Sequence, residues 1–375
     1  MKVLQIGKFY PIRGGVEKVM FDMMMGLSQE HVYCDMLCAA AEQQQPGTIL
    51  LNEYARVLCV PAKVKLAATM ISPAMIFQLR KIRNEYDVIH IHHPDPMACL
   101  ALRLSGYKGL VVLHWHSDIL KQKTLLKLYR PLQNWLLRRA RFIVGTTPVY
   151  VHESPFLQKV QCKVTSIPIG INEVKPSQEG VAGIRAKYDG KKIIFSLGRL
   201  VEYKGYEYLI KAARWLNDDC VVLIGGKGPL KEHLQDLIDE QGVTDRVKLI
   251  GFIGDKELPD YFGACDLFCL SSIWKTEAFA IVQLEAMACG KPVVATNIPE
   301  SGVSWVNRNG VSGLNVDPQN ADALAEAIIT ILSDEQLYRR LSEGARQRYE
   351  TLFTKRLMTK NCLAMYQALL HKSER

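Results

Sequence analysis

No stretch of this 375-residue chain is apolar enough, for long enough, to cross a bilayer. The longest apolar run, residues 66–79, is interrupted by Thr69, Ser72 and Pro73. After Met1 and Lys2 the chain enters the strand-like run VLQIG with no longer apolar region behind it, so no secretory signal is expected and the protein is expected to be cytoplasmic. There is no CxxC: ten cysteines are scattered, and the CxxxC pairs Cys34/Cys38 and Cys265/Cys269 lie in apolar surroundings. Reduced thiols packed as small hydrophobes are expected, and zinc is disfavoured. No GxGxxG follows the first strand-like run, and Gly226-Lys227-Gly228 lacks a third glycine, which disfavours dinucleotide chemistry. No GxxxxGK[ST] exists, because Gly290-Lys291 runs into Pro292, so a P-loop NTPase is excluded. No DxD or other dense acidic cluster is present to hold Mg²⁺ beneath a diphosphate, so no metal site is expected. With 48% apolar and 23% charged residues, a disordered chain is excluded.

Acidic residues are also missing locally. The chain carries a net charge of +9, and residues 1–180, with 22 Lys/Arg against 13 Asp/Glu, account for all of it. Two windows, residues 56–83 and 121–141, contain no acid at all. A basic half points to nucleic acid, an anionic membrane surface or phosphorylated substrates.

What is present is an alternation. KVLQIG, DVIHIHH, GLVVLHW and RFIVGT read as buried strands in the first half; KKIIFSLG, CVVLIGG, VKLIGF, DLFCLS and PVVATN do so in the second. Helical segments separate them, such as residues 16–27, where Val16, Val19, Met20, Met23 and Leu27 recur at helical spacing. The reading is an α/β fold of two doubly wound parallel sheets. Glu173–Lys192 carries Pro176, Ser177, Gly180, Gly183 and Gly190 with no strand signal and is expected to be the linker. The expected domains are residues 1–175 and 176–353, with residues 354–375 a C-terminal helix crossing back to the first domain. Two such sheets facing each other would form a cleft at the carboxyl ends of their strands.

Residues at those ends carry the chemistry. Gly14 and Gly15 open a helix after the first strand; they form either an ordinary turn or a backbone that admits an anion to the helix N-terminus. Arg199 and Lys204 follow a second-half strand as a planar fork and a point charge suited to a diphosphate, or are solvated surface charges. In TEAFAIVQLEAMACGKPVV, residues 278–289 are expected to be helical, with Glu277 at the entrance and Glu285 eight residues on, about 80° off a whole number of turns. Glu277 is then either a helix-dipole partner or a carboxylate poised over sugar hydroxyls. His114 and His116 end a strand, as packed rings, cleft contacts or, least of all, metal ligands; His90, His92 and His93 are expected to be structural.

Together RGGVEKV, HSDI, IPIGIN, GRLVEYKG, GGKGPL and EAFAIVQLEAM with GKPVVAT resemble the retaining glycosyltransferases of the GT-B fold, family 4, over nearly the whole chain. The resemblance implies two Rossmann-like domains. It also implies a nucleotide-sugar donor held mainly by the second and an acceptor, lipid-linked or oligosaccharide, held mainly by the first. By that resemblance Arg199 and Lys204 bind the donor phosphates, Glu277 with Ala278, Phe279 and Ala280 lies at the transferred sugar, and Glu285 binds the ribose. Gly14 and Gly15 approach the diphosphate, and His116 lies near the reacting sugar, with His114 competing for that role. Ala280 stands where many members have glycine, and is expected to narrow the space beside the sugar slightly. The motifs look most like bacterial polysaccharide mannosyltransferases, which suggests GDP-mannose, with UDP-hexoses open, no cofactor and no metal.

The second basic window gains a reading from this. Lys121, Lys123, Lys127, Arg130, Arg138, Arg139 and Arg141 alternate with Leu125, Leu126, Leu128, Leu132, Trp135 and Leu136. They suit either peripheral attachment to the inner face of the cytoplasmic membrane or a solvated helix whose leucines pack inward. Nucleic acid would explain the charge but not the strand-end motifs. A sugar-nucleotide epimerase of the same fold and an inactive assembly partner are the remaining rivals.

Overall fold

The computed structural model describes residues 1–12, 14–41, 44–66, 69–120 and 123–373. Arg13 of RGGVEKV and Lys121 of the basic window lie outside them. The chain separates into two units, Met1–Gly170 with Lys355–Arg375, and Ile171–Thr354. The break falls five residues before the expected boundary, and the C-terminal segment belongs to the first unit.

In the first unit ten strands form: β1 (Lys2–Tyr10), β2 (Tyr33–Ala40), β3 (Gly47–Asn52), β4 (Ala55–Val60), β5 (Val64–Leu66), β6 (Thr69–Ile71), β7 (Val88–His93), β8 (Leu110–Trp115), β9 (Phe142–Gly145) and β10 (Val164–Ser166). Its helices are α1 (Gly15–Gln29), α2 (Pro73–Ile82), α3 (Pro96–Ser105), α4 (Lys123–Arg139) and α5 (Pro148–Glu153), with a later C-terminal one described below. Eight strands make one sheet in the order β10-β9-β8-β7-β1-β2-β4-β3, parallel except for the edge strand β3; β5 and β6 form a separate hairpin. Leu4, Ile6, Ile89, Ile91, Val111 and Leu113 are fully buried, as strands covered on both faces require.

The second unit holds α6 (Gln178–Lys187), β11 (Lys192–Leu197), α7 (Tyr206–Ala212), β12 (Cys220–Gly225), α8 (Lys231–Glu240), β13 (Val247–Gly251), α9 (Leu258–Ala264) and β14 (Leu267–Leu270). It continues with α10 (Val282–Ala288), β15 (Val293–Thr296), α11 (Val303–Val306), β16 (Gly313–Val316), α12 (Ala321–Ser333) and α13 (Glu335–Leu352). Its sheet is wholly parallel, in the order β13-β12-β11-β14-β15-β16. The expected linker is thus structured: Ser177 caps α6 by accepting from the Gly180 amide, and Pro176 and Val181 lie within contact range of Gly263 on α9. Gly180 and Gly183, which read as breakers, sit inside a short helix that tertiary packing stabilises, and only Gly190, at φ +71°, lies in the turn after it.

The final helix, α14 (Lys355–Ser373), packs on α1 in the first unit, where the Tyr366 hydroxyl lies 3.8 Å from Met23 Sδ. Eight of the ten cysteines are buried and all are free. Among the described residues no helix is long and apolar enough to cross a membrane.

Candidate active site

Open parallel sheets bind ligands where the strand order reverses, at the carboxyl ends of the two strands flanking the reversal. In the second unit those strands are β11 and β14. The loop after β11 delivers Arg199 and Lys204; the loop after β14 delivers Ser272 and Glu277. Lys204 Nζ and Glu277 Oε2 meet at 2.5 Å, and Ser272 Oγ donates to the same carboxylate oxygen at 2.9 Å. Both charged residues are only 8% exposed. Burial works to lower the Lys204 ammonium, but the Glu277 charge, Tyr203 and the hydrogen bond to Glu277 outweigh it, and the net shift is upward.

Two glycines make this approach feasible. A Cβ at Gly198 would lie 2.9 Å from Lys204 Cε, so only glycine lets the lysine cross the strand end. Gly205 has φ +61°, and a Cβ there would strike the Ser271 carbonyl. The two loops are stitched together: Ser271 Oγ donates to Lys204 O at 3.0 Å and the Ile273 amide donates to Tyr203 O at 2.8 Å, while from the loop after β15 Ser301 Oγ donates to Glu277 O.

Arg199 is exposed beside this pair, and Glu285 is half-buried on α10. The expected helix over residues 278–289 begins only at Val282: Ala278, Phe279 and Ala280 are buried in the loop, which the Gly302 amide holds at Ala278 O. Ala280 adopts φ +60°. Glycine reaches that conformation at no steric cost, so the position favours glycine on backbone grounds and Ala280 holds a conformation that L-residues rarely adopt. Sequence reasoning missed Ser272, Ser301 and Tyr206. The Tyr206 hydroxyl is buried with no hydrogen-bond partner, and it would lie 2.8 Å from a Cβ at Gly198, on the Lys204 side. Its only signal was its place directly after KG.

In the first unit Gly14 is the extended N-cap of the 15-residue α1, and Gly14 and Gly15 are both exposed. The buried Glu17 carboxylate leans on Gly14 from the third helical position, where an acidic group complements the helix dipole. His116 follows β8 directly and is 6% exposed, whereas His114 is 1% exposed within the strand with neither ring nitrogen partnered. The strand-end position favours His116 over His114 as the residue that can meet a ligand.

His90, His92, His114 and His116 are stacked in a buried row, with ring centroids 4.2–5.4 Å apart and planes within 23°. Burial holds every one of them well below the usual imidazole range, His114 at about 3. His90, His92 and His114 bring ring nitrogens within 4.8 Å of one another and are the described group nearest to a metal-binding set. Their stacking holds the lone pairs in nearly parallel planes about 5 Å apart, whereas a shared metal needs them to converge on one point. On the other face His93 stacks on Trp115 at 3.7 Å.

Residues 13–174 match the profile described as Glycosyltransferase Family 4, and residues 179–348 match Glycosyl transferases group 1. The chain is a glycosyltransferase of the GT-B class. Over 99% of both chains this glycosyltransferase is 29% identical to O-antigen chain mannosyltransferase C of Escherichia coli. It is 29% identical to the D-rhamnosyltransferase WbpZ of Pseudomonas aeruginosa, covering 94% of this chain and 92% of that one. Its fold matches Anabaena HepE, solved in complex with UDP, with TM-score 0.79 at 20% identity over 98% of this chain and all of that one. Sucrose-phosphate synthase of Thermosynechococcus elongatus matches with TM-score 0.79 at 22% identity over 99% and 100%.

On α4 the leucines divide. Leu136 and Leu137 are buried, while Leu125 and Leu128 are 42% and 78% exposed. Arg139 is engaged with the Tyr107 and Gly109 carbonyls, so it is not a free surface cation, whereas Lys127, Arg130, Arg138 and Arg141 are exposed. Leu125, Leu126, Leu128, Tyr129 and Leu132 line an apolar pocket of about 370 Å³, and Lys8 is also in its lining.

Proposed function

We propose that this glycosyltransferase transfers mannose from GDP-mannose, with retention and without a metal, to a lipid-linked or oligosaccharide acceptor in bacterial surface-glycan assembly. The full-length similarity to an O-antigen mannosyltransferase carries this reading. In it, Arg199 and Lys204 take the charge that develops on the departing diphosphate, as preformed cations that need no reorganisation. Glu277 and His116 hold hydroxyls of the transferred sugar and fix its geometry, and Glu285 holds the ribose. The Glu277 carboxylate at that sugar is engaged by Lys204 and Ser272 rather than poised as a nucleophile, and this supports same-face attack with the departing phosphate taking the acceptor's proton.

A thermal-shift panel of GDP, GDP-mannose, UDP, UDP-glucose, UDP-galactose and UDP-N-acetylglucosamine in EDTA tests the donor. GDP and GDP-mannose are expected to raise Tm by several degrees at about 100 times Kd, where binding adds ~2.7 kcal/mol. A response confined to uridine nucleotides would overturn the donor and keep the reaction class; a requirement for added Mg²⁺ would overturn the metal-free reading.

The apolar pocket, its Lys8 and the exposed Leu125, Leu128, Lys127 and Arg130 support an acceptor presented at an anionic membrane surface. The variant Leu125→Ser/Leu128→Ser/Lys127→Gln/Arg130→Gln is expected to lose about tenfold or more in binding to phosphatidylglycerol vesicles, at ~1 kcal/mol per cation. Unchanged sedimentation with vesicles would remove that part of the reading.

A further inference from the structure

Three side chains of the first unit form a hydrogen-bonded row that ends at His116. Strand register pairs Gln5 with His90 and His92 with His114, so these side chains rise from one face of the sheet. The two ends of the Gln5 amide differ chemically. Its NH₂ group donates to Cys34 Sγ at 3.4 Å, and its Oε1 faces His92 Nε2 at 2.8 Å. An amide oxygen only accepts, so Nε2 of His92 carries the proton. A neutral imidazole has one N–H, so His92 Nδ1 accepts, and the group that donates to it at 2.8 Å is His116 Nε2–H. His116 is left with its lone pair on Nδ1.

We propose that Gln5 and His92 are positioning residues that fix His116 as the Nε2–H tautomer. His116 then presents an acceptor nitrogen, which reads a sugar hydroxyl and discriminates against a donor that lacks one there. This rests on the assignment of His116 to the transferred sugar made above.

The surroundings keep the row neutral. Burial lowers His92 and His116 most, and Lys8 at the end of β1 and the imidazoles of His90 and His114 act in the same direction on both. His93 adds to this at His116, and His116 adds to it at His92. From α14 Tyr366 hydrogen-bonds His90 Nδ1 at 2.5 Å, and from β2 Cys34 meets Gln5. The carboxylates of the two following loops are engaged elsewhere: Asp95 with the Lys8, Met97 and Ala98 amides, Asp118 with Trp115 Nε1 and Ser154 Oγ.

The test has a spectroscopic arm and a kinetic arm. Long-range ¹H–¹⁵N correlation of the full chain labelled in histidine, assigned through His116→Asn and His92→Asn, reads the tautomers at pH 7.5. His92 and His116 are expected as Nε2–H, and Gln5→Leu is expected to abolish the single tautomer at both. Gln5→Glu keeps an acceptor at His92 but charges it, so the acidic limb of kcat/KM should move up by about one pH unit or more. The kinetic arm uses GDP-mannose or whichever nucleotide sugar stabilises the protein. A wild-type His116 protonated at Nδ1 overturns the relay whatever the rates are. So does a Gln5→Glu pH profile that superimposes on the wild type. Full turnover by His116→Asn, with the Nε2–H tautomers intact in the wild type, would instead overturn the role given to His116 and leave the tautomer chain standing.

Discussion

Glu277→Ala is expected to reduce transfer at least a hundredfold and to destabilise the second unit by about 3–5 kcal/mol, the cost of leaving a buried charge unpaired. The reason is that Lys204 and Glu277 are each other's main electrostatic partner at 8% exposure, with the Ser272 hydroxyl as the third member. Removing the carboxylate strands an ammonium whose proton affinity the pair had raised. Lys204→Met should cost a similar amount by the mirror argument. The two losses must then not add. In Lys204→Met/Glu277→Leu no unpaired charge remains, so most of the stability should return while transfer stays down, because both contacts to the donor are gone. Urea unfolding and initial transfer rates on the four proteins decide it. If the double variant recovered transfer along with stability, the pair would be a structural ion pair and the site assignment would fall. Additive stability losses would show instead that each side chain has other partners.

That pairing also marks where sequence reading stops. Arg199, Lys204 and Glu277 were legible as chemistry at strand ends, because glycines and charges directly follow apolar runs. Their meeting was not, because residues 204 and 277 are 73 positions apart and converge only through the order reversal between β11 and β14. The buried parallel strands β1, β7, β8 and β9 were legible as continuous apolar runs. β2 was not: Asp35 breaks its pattern, and that carboxylate is tolerated inside because Arg56 and the Tyr86 hydroxyl each reach it at 2.6 Å. β3 and β10 are edge strands, exposed or half-buried, and carry little apolar signal. The start of α10 was placed four residues early because TEAFAIV has helical composition. Glu277 tied to Lys204 and Ser272, and Ala280 at φ +60°, keep the backbone out of the helix until Val282. The alternation in HIHH and HWH announced histidines on a strand face. Their stacking needed the His92–His114 register, which no local pattern carries.

The same histidines should make the first unit fail in mild acid while the second persists. His90, His92, His93, His114 and His116 are held neutral, chiefly by burial, with His93 and His114 at about 3. Above the unfolded-state pKa near 6.5, folded and unfolded chains bind the same number of protons at these sites, and stability is unaffected by pH. Below it the unfolded chain takes up protons that the folded chain refuses, so stability falls as pH drops, by ~1.4 kcal/mol per unit for each ring. Five rings give a slope of about 7 kcal/mol per unit, on the order of 10 kcal/mol by pH 5, comparable with the whole stability of a typical domain. The second unit contains a single histidine, His233, so it lacks this liability. Unfolding in urea between pH 7.5 and 5, followed by limited proteolysis with mass-spectrometric mapping, should show uptake of about five protons and first cuts within residues 1–170. His114→Leu removes one titrating ring whose nitrogens have no partners to lose, and should reduce the uptake by about one proton. An uptake of one proton or fewer, or first cuts in the second unit, would mean that the imidazole row is hydrated and titrates in place.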